Sequence, residues 1–100
     1  MIIEASTDEQ ILQSFPVMHE LRPHIAQGEF LARVHRQMAQ GYRLTMLQVE
    51  GRVVAVSGYR IVEMLAWGKS MYVDDLVTTA KGQGIGYGSK LLDWLIAKAR

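Results

Sequence analysis

The stretch Lys81-Gly82-Gln83-Gly84-Ile85-Gly86-Tyr87-Gly88-Ser89-Lys90 has the residue types and spacing that could do chemistry. It follows a run with strand character and opens a helical one. Glycines at such a junction let the backbone turn tightly and aim several N–H groups outward. A helix N-terminus adds unsatisfied donors and a partial positive charge, so the place suits a phosphate; a plain flexible turn is the simpler alternative. Two nucleotide patterns can be tested by counting. The Walker pattern G-x-x-x-x-G-K-[ST] fails, because counting from Gly82 lands on Tyr87 and counting from Gly84 lands on Ser89. The dinucleotide pattern G-x-G-x-x-G fails at the same two residues, and no acidic residue follows it at the ribose-binding distance.

The pattern [QR]-x-x-G-x-[GA] does fit, read as Gln83-Gly84-Ile85-Gly86-Tyr87-Gly88, followed by Ser89-Lys90-Leu91-Leu92. It is preceded by the strand-like Tyr72-Val73-Asp74-Asp75-Leu76-Val77-Thr78. Strand, loop and helix in this order resemble the acetyl-CoA pyrophosphate loop of the GNAT superfamily of N-acetyltransferases. The upstream meander with Gly58-Tyr59-Arg60 resembles the middle strands of that fold, so the resemblance covers essentially the whole chain.

The resemblance implies an acyltransferase that moves an acetyl group from acetyl-CoA to an amine, on a small molecule or a protein. Such a reaction needs a base for the ammonium proton, a donor for the developing oxyanion and an acid for the thiolate. By the resemblance, backbone groups of Leu76, Val77 and Thr78 pair with the pantetheine arm, and one of their N–H groups polarises the thioester carbonyl. Gln83, Gly84, Ile85, Gly86, Tyr87 and Gly88, with Ser89, bind the pyrophosphate. Polyamine-type members of the family carry a similar acidic pair, which makes Asp74 the leading base and Asp75 the alternative. Adjacent strand residues face opposite ways, so only one of them is expected to look into an acceptor cleft; two solvated carboxylates at a strand end are the simpler alternative. The resemblance also implies a fifth strand and a thiolate-protonating tyrosine beyond the last helix, so a single domain over residues 1–100 is expected to be cut short there. Tyr87, inside the loop, is not assigned that role. A non-catalytic CoA-binding or dimerising fragment is the second reading.

The elements that must position these residues follow from periodicity. Met1 to Ala5 reads as a short strand. Ser6-Thr7-Asp8-Glu9 reads as a capping box, with Ser6 as the cap, opening a helix with Ile11, Leu12 and Phe15 on one face. Pro16 predicts a break, with Ser14 capping a second helical piece that ends at Arg22-Pro23. Phe30, Leu31, Val34 and Met38 recur at helical spacing between Gly28 and Gln40, with Gly41 as the cap. Tyr42 to Glu50, Val53 to Met64 and Ser70 to Thr79 read as an antiparallel meander, turned at Gly51-Arg52 and Trp67-Gly68-Lys69. A helix from about Gly86 is predicted to bury Leu91, Leu92, Leu95, Ile96 and Ala99. The class is α+β, a mixed sheet with helices on both faces.

Composition narrows the function classes. Hydrophobic residues make up 49% of the chain, which fits a packed domain. Eleven basic against ten acidic residues give no drive toward nucleic acid or an anionic membrane. Without cysteine, disulfides, thiolate metal sites and cysteine catalysis are excluded. His19, His24 and His35 lack metal-ligand spacing and read as surface or packing residues; no metal is expected. Trp67 reads as a turn anchor, Trp94 as an edge of the core, and the methionines as gap-fillers. The absence of a long apolar run or a basic leader predicts a cytoplasmic protein. An exposed last strand and a wide apolar stripe on the last helix predict a homodimer.

Overall fold

The computed structural model describes residues 1–66, 68–79 and 85–99. Among them the elements run β1 (Ile2–Glu4), α1 (Asp8–Leu21), α2 (Gln27–Met38), β2 (Tyr42–Val49), β3 (Arg52–Met64), β4 (Gly68–Thr78) and α3 (Tyr87–Ala99). The strands form a sheet in the order β1-β2-β3-β4, with every pairing antiparallel. The α+β class with helices on both faces is as the sequence predicts.

The first helix starts one residue later than the sequence suggests. Thr7, not Ser6, is the cap: its side chain accepts from the Gln10 N–H at 3.2 Å. Gln10 Oε1 accepts in return from the N–H groups of Ser6 and Thr7, at 3.0 and 3.2 Å. This register places Asp8 and Glu9 in the first turn, where the helix dipole favours them.

Pro16 does not break the helix. It sits on the exposed side of a continuous α1, flanked by buried Phe15, Val17 and Met18. A proline inside a helix costs about 3 kcal/mol, and burying three such side chains returns roughly 1.5–3 kcal/mol each. Packing therefore wins. Ser14, instead of capping a second piece, lies buried within α1 and donates to the Ile11 carbonyl at 2.6 Å.

The meander is set by its turns. Gly41 takes φ +95° and ends the approach from α2. Glu50 and Gly51 take φ +53° and +78° between the paired Val49 and Arg52. Two successive left-handed residues suit the right-handed twist of a hairpin, so the turn falls one residue earlier than Gly51-Arg52. Of the Trp67-Gly68-Lys69 turn, Trp67 lies outside the described residues, and Gly68, at φ +70°, opens β4.

The sheet separates two cores. Ile11, Phe15 and Met18 of α1, with Phe30 and Val34 of α2, pack on Tyr42, Leu44, Met46 and Val56. On the other face Leu91 of α3 packs against Leu47 and Ala55, and Leu95 is also buried. The predicted stripe of α3 is narrower than expected, for Leu92, Ile96 and Ala99 are exposed. Leu91 and Leu95 lie on one line of the helix, and Trp94 and Lys98 reach Tyr59 and Glu4 beside it. The described sheet covers only that line.

Candidate functional site

The site begins at an irregularity in β4. Gly58 of β3 pairs with Asp75, but the next residue, Tyr59, pairs with Val73. Asp74 is therefore an extra residue, a β-bulge. A bulge interrupts strict alternation and re-aims side chains. Both carboxylates consequently line one cavity on the α1–α2 side of the sheet, of about 350 Å³. This corrects the expectation that only one of the adjacent acids could face a cleft.

Each acid has its own arginine. Arg22, at the C-terminal end of α1, donates from Nε to Asp75 Oδ1 at 2.9 Å. Its Nη2 lies 2.9 Å from the same oxygen and 3.3 Å from the Asp74 carbonyl. That carbonyl belongs to the bulge, so Arg22 binds both the acid and the backbone irregularity that aims it. Tyr42 donates its phenol to Asp75 Oδ2 at 2.9 Å. Arg60 of β3 donates from Nε to Asp74 Oδ2 at 2.6 Å, from Nη2 to Gln37 Oε1, and stacks over the Tyr42 ring.

The two carboxylates are thus unequal. Both oxygens of Asp75 are engaged, and its side chain is 12% exposed. The Asp74 side chain is 32% exposed, and its Oδ1 has no hydrogen-bond partner among the described residues. Burial, reinforced by the neighbouring Asp75 charge and the hydrogen bond to it, holds the Tyr42 phenol far above its usual pKa. Tyr42 is a fixed donor, not a proton shuttle. Met18, Ile25, Phe30 and Val34 supply the apolar wall of the cavity, and Arg33 and His24 complete its polar lining.

Past the acids, β4 runs through Leu76, Val77 and Thr78 on the outer edge of the sheet, where no described strand covers it. Asp75 and Thr78 are separated by about 10 Å of strand. There the start of α3 meets the strand: a Cβ on Gly88 would lie 3.1 Å from Thr78 Cγ2. Gly86, at φ +92°, precedes the helix, and its carbonyl accepts from the Lys90 N–H at 3.0 Å. Ile85 and Ser89 are exposed, whereas Tyr87 packs into the α3-side core. Gln83 and Gly84 lie outside the described residues.

The profile of the acetyltransferase (GNAT) family matches residues 7–100. The chain belongs to that family. Acetyl transfer is the general chemistry of this GNAT chain's relatives, and acetyl-CoA is the donor they generally use. It is 30% identical over 98 residues to the uncharacterized N-acetyltransferase YhdJ of Bacillus subtilis, covering 97% of this chain and 69% of that protein. In fold the GNAT chain is similar to a GNAT family acetyltransferase of Staphylococcus aureus, with a TM-score of 0.85 at 16% identity, over 99% of this chain and 76% of that one. It is also similar to a ribosomal-protein-alanine N-acetyltransferase of Brucella melitensis, with a TM-score of 0.81 at 16% identity, over 99% of this chain and 71% of that one.

The sequence singles out the two acids, but it does not mark Arg22, Arg33, Gln37, Tyr42 or Arg60 as their neighbours. One signal was available: Gly58 inside a strand, where glycine marks close approach by another group. Of the histidines, His35 contacts Asp8 at 2.8 Å, His19 lies 3.3 Å from the Ile25 carbonyl, and His24 lines the cavity. No helix among the described residues is long and apolar enough to cross a membrane.

Proposed function

We propose that this GNAT chain transfers an acetyl group from acetyl-CoA to an amine held in the cavity beside Asp74. The observation that carries the reading is the bulge: it brings Asp74 to the cavity wall, on the same strand whose free edge leads to the start of α3.

The residues present fit the cofactor. The first turn of α3 carries no acidic side chain, its cap is a left-handed glycine, and Gly88 leaves the helix close against Thr78. The N–H groups of such a first turn have no partner within the helix and suit a phosphate. Ile85 to Ser89 would hold the pyrophosphate, with Gln83 and Gly84 before them, and the edge of Leu76–Thr78 would take the pantetheine amides. Acetyl-CoA supplies the acetyl group as an activated thioester.

The chain's own part is to orient the amine and remove its proton. An ammonium has no lone pair and must lose a proton before nitrogen can bond to the acetyl carbon. Asp74 Oδ1 is the free acceptor for that proton. Asp75, with both oxygens engaged, serves as the anchor that fixes Arg22 and Tyr42.

Titration of CoA into the chain by calorimetry tests the reading. Saturable heat, with an affinity that falls by more than about tenfold when Gly86 is replaced by valine, is the expected result. No heat at about millimolar CoA, a concentration that detects affinities near −4 kcal/mol, would overturn it. Binding without transfer to any amine would favour a non-catalytic CoA-binding module instead.

A further inference from the structure

We propose that the acceptor carries an anionic group, a carboxylate or a phosphate, close to its amine, and that Arg33 is the residue that reads it. This inference rests on the acetyl-transfer reading and names the substrate class of the same cavity.

The argument is a charge count. Three arginines and two aspartates line the cavity. Arg22 is taken by Asp75 and Arg60 by Asp74. Arg33, on α2, is half-buried in the same wall and has no ion pair or hydrogen bond among the described residues. Glu29, one helical turn earlier, forms no ion pair with it either. A guanidinium does not give up its proton in a protein, so this is a standing positive charge with its planar fork of donors unmatched. Partial burial removes water from it without supplying a partner, which makes an anion there worth more than at an open surface.

The same count argues against a polyamine. With one proton moved to Asp74, a polycation faces three guanidiniums balanced by the Asp75 carboxylate alone, and like charges in a cleft repel. A small molecule with an amine and an anion meets both halves of the lining. Its amine points to Asp74 Oδ1 and its anion to Arg33. The cavity volume of about 350 Å³ lies near the lower end for small-molecule sites, which run from about 300 to 1,000 Å³, and so suits a compact acceptor. Met18, Ile25, Phe30 and Val34 leave room for an apolar portion between the two charged ends.

The test uses matched probes on the whole chain, with no cofactor present. Leucine is compared with leucinamide, phosphoethanolamine with ethanolamine, and spermidine is the polycation. Binding is followed by the arginine Nε–Hε resonances. The anionic member of at least one pair should bind about tenfold or more tighter than its partner and shift the Arg33 resonance. The pair with the larger ratio tells carboxylate from phosphate. Arg33→Gln should erase the discrimination, and Arg33→Lys, which keeps the charge and loses the fork, should retain part of it. Equal binding within both pairs, tightest binding of spermidine, or undiminished discrimination in Arg33→Gln would overturn the proposal. So would the absence of any Arg33 shift up to about 50 mM of every probe, beyond the range of useful affinity. Calorimetry with CoA separates this outcome from the functional reading. Discrimination without CoA uptake would sink acetyl transfer and leave the anion site standing, and CoA uptake without discrimination would do the reverse.

Discussion

The phenol of Tyr42 occupies the space that any side chain at Gly58 would need: a Cβ there would fall 1.8 Å from the Tyr42 oxygen. The ring crosses β3 at this one bare position and so reaches Asp75, the register partner of Gly58. The first prediction follows from that geometry. Gly58→Ala should cost about 1–3 kcal/mol in urea denaturation, the range for overpacking a filled core. In a Tyr42→Ala background the same substitution should cost close to nothing, because interacting sites are non-additive. Equal costs in both backgrounds would show that the ring is not the obstacle.

The two acids should separate by phenotype. Asp74→Asn removes the free acceptor oxygen and should lower the rate of acetyl transfer by roughly 10²-fold or more at neutral pH. The deficit should shrink at high pH, where the amine is already neutral. Asp75→Asn should show itself chiefly in stability, by about 1–3 kcal/mol, since it leaves Arg22 and Tyr42 poorly matched. An unchanged rate in Asp74→Asn would remove that residue from the chemistry.

Gly86 is required for its backbone and not for the space around it. Its φ of +92° disfavours a side chain, while a Cβ there would meet nothing within 4 Å. Gly86→Val should therefore distort the start of α3 and weaken CoA binding by more than about tenfold, ~1.4 kcal/mol. Circular dichroism should show the rest of the helix intact. Wild-type affinity in the variant would sink the loop assignment.

Stability should fall at both ends of the pH scale through one side chain. Tyr59 donates to Glu4 at 2.6 Å. Burial first, then this bond, raises the Tyr59 phenol above its ordinary 10.0. The unfolded chain then ionises before the folded one, so this stabilisation is complete below about pH 10 and is lost as pH climbs further. The bond also holds Glu4 below its ordinary 4.5, so its contribution is present above that value and lost as pH falls through the lower folded value. Tyr59→Phe should flatten both limbs of a plot of unfolding free energy against pH. Tyr42, also raised, should keep part of the alkaline limb in that variant.

Two copies of the chain are expected to associate. Tyr72, Val73 and Leu76 on β4, and Leu92 and Ile96 on α3, are exposed apolar side chains. Edge strands of this kind tend to pair, and symmetric dimers are the commonest closed assembly. Light scattering at micromolar concentration reads the outcome directly, and a clean monomer that stays soluble would refute it.

How far the residues announce themselves depends on the distance over which they act. The glycine-rich loop and the helix after it were readable because clustered glycines and an i, i+4 pair such as Leu91 and Leu95 are local signals. The meander was readable from partial alternation and β-branched content, to within two residues at each turn. Pro16 misled because a local penalty was judged without the burial of Phe15, Val17 and Met18 around it. The cavity was hidden for a different reason. Arg22 and Asp75 are separated by 53 positions and meet only because α1 crosses the sheet. Alternation alone put Asp74 and Asp75 on opposite faces, and nothing local marks the extra residue that reunites them.

That extra residue is also a matter of counting. If Asp74 were removed, Gly58 would still stand opposite Asp75 and Tyr59 opposite Val73, now without a gap. The strand's pairing does not need the extra residue, and because positions 74 and 75 are both aspartate, deleting either one leaves the same chain with one carboxylate opposite Gly58. The second carboxylate of this cavity is therefore carried on a separable unit of chain length. A related sequence could gain or lose it through a single codon insertion or deletion while leaving the sheet as it was.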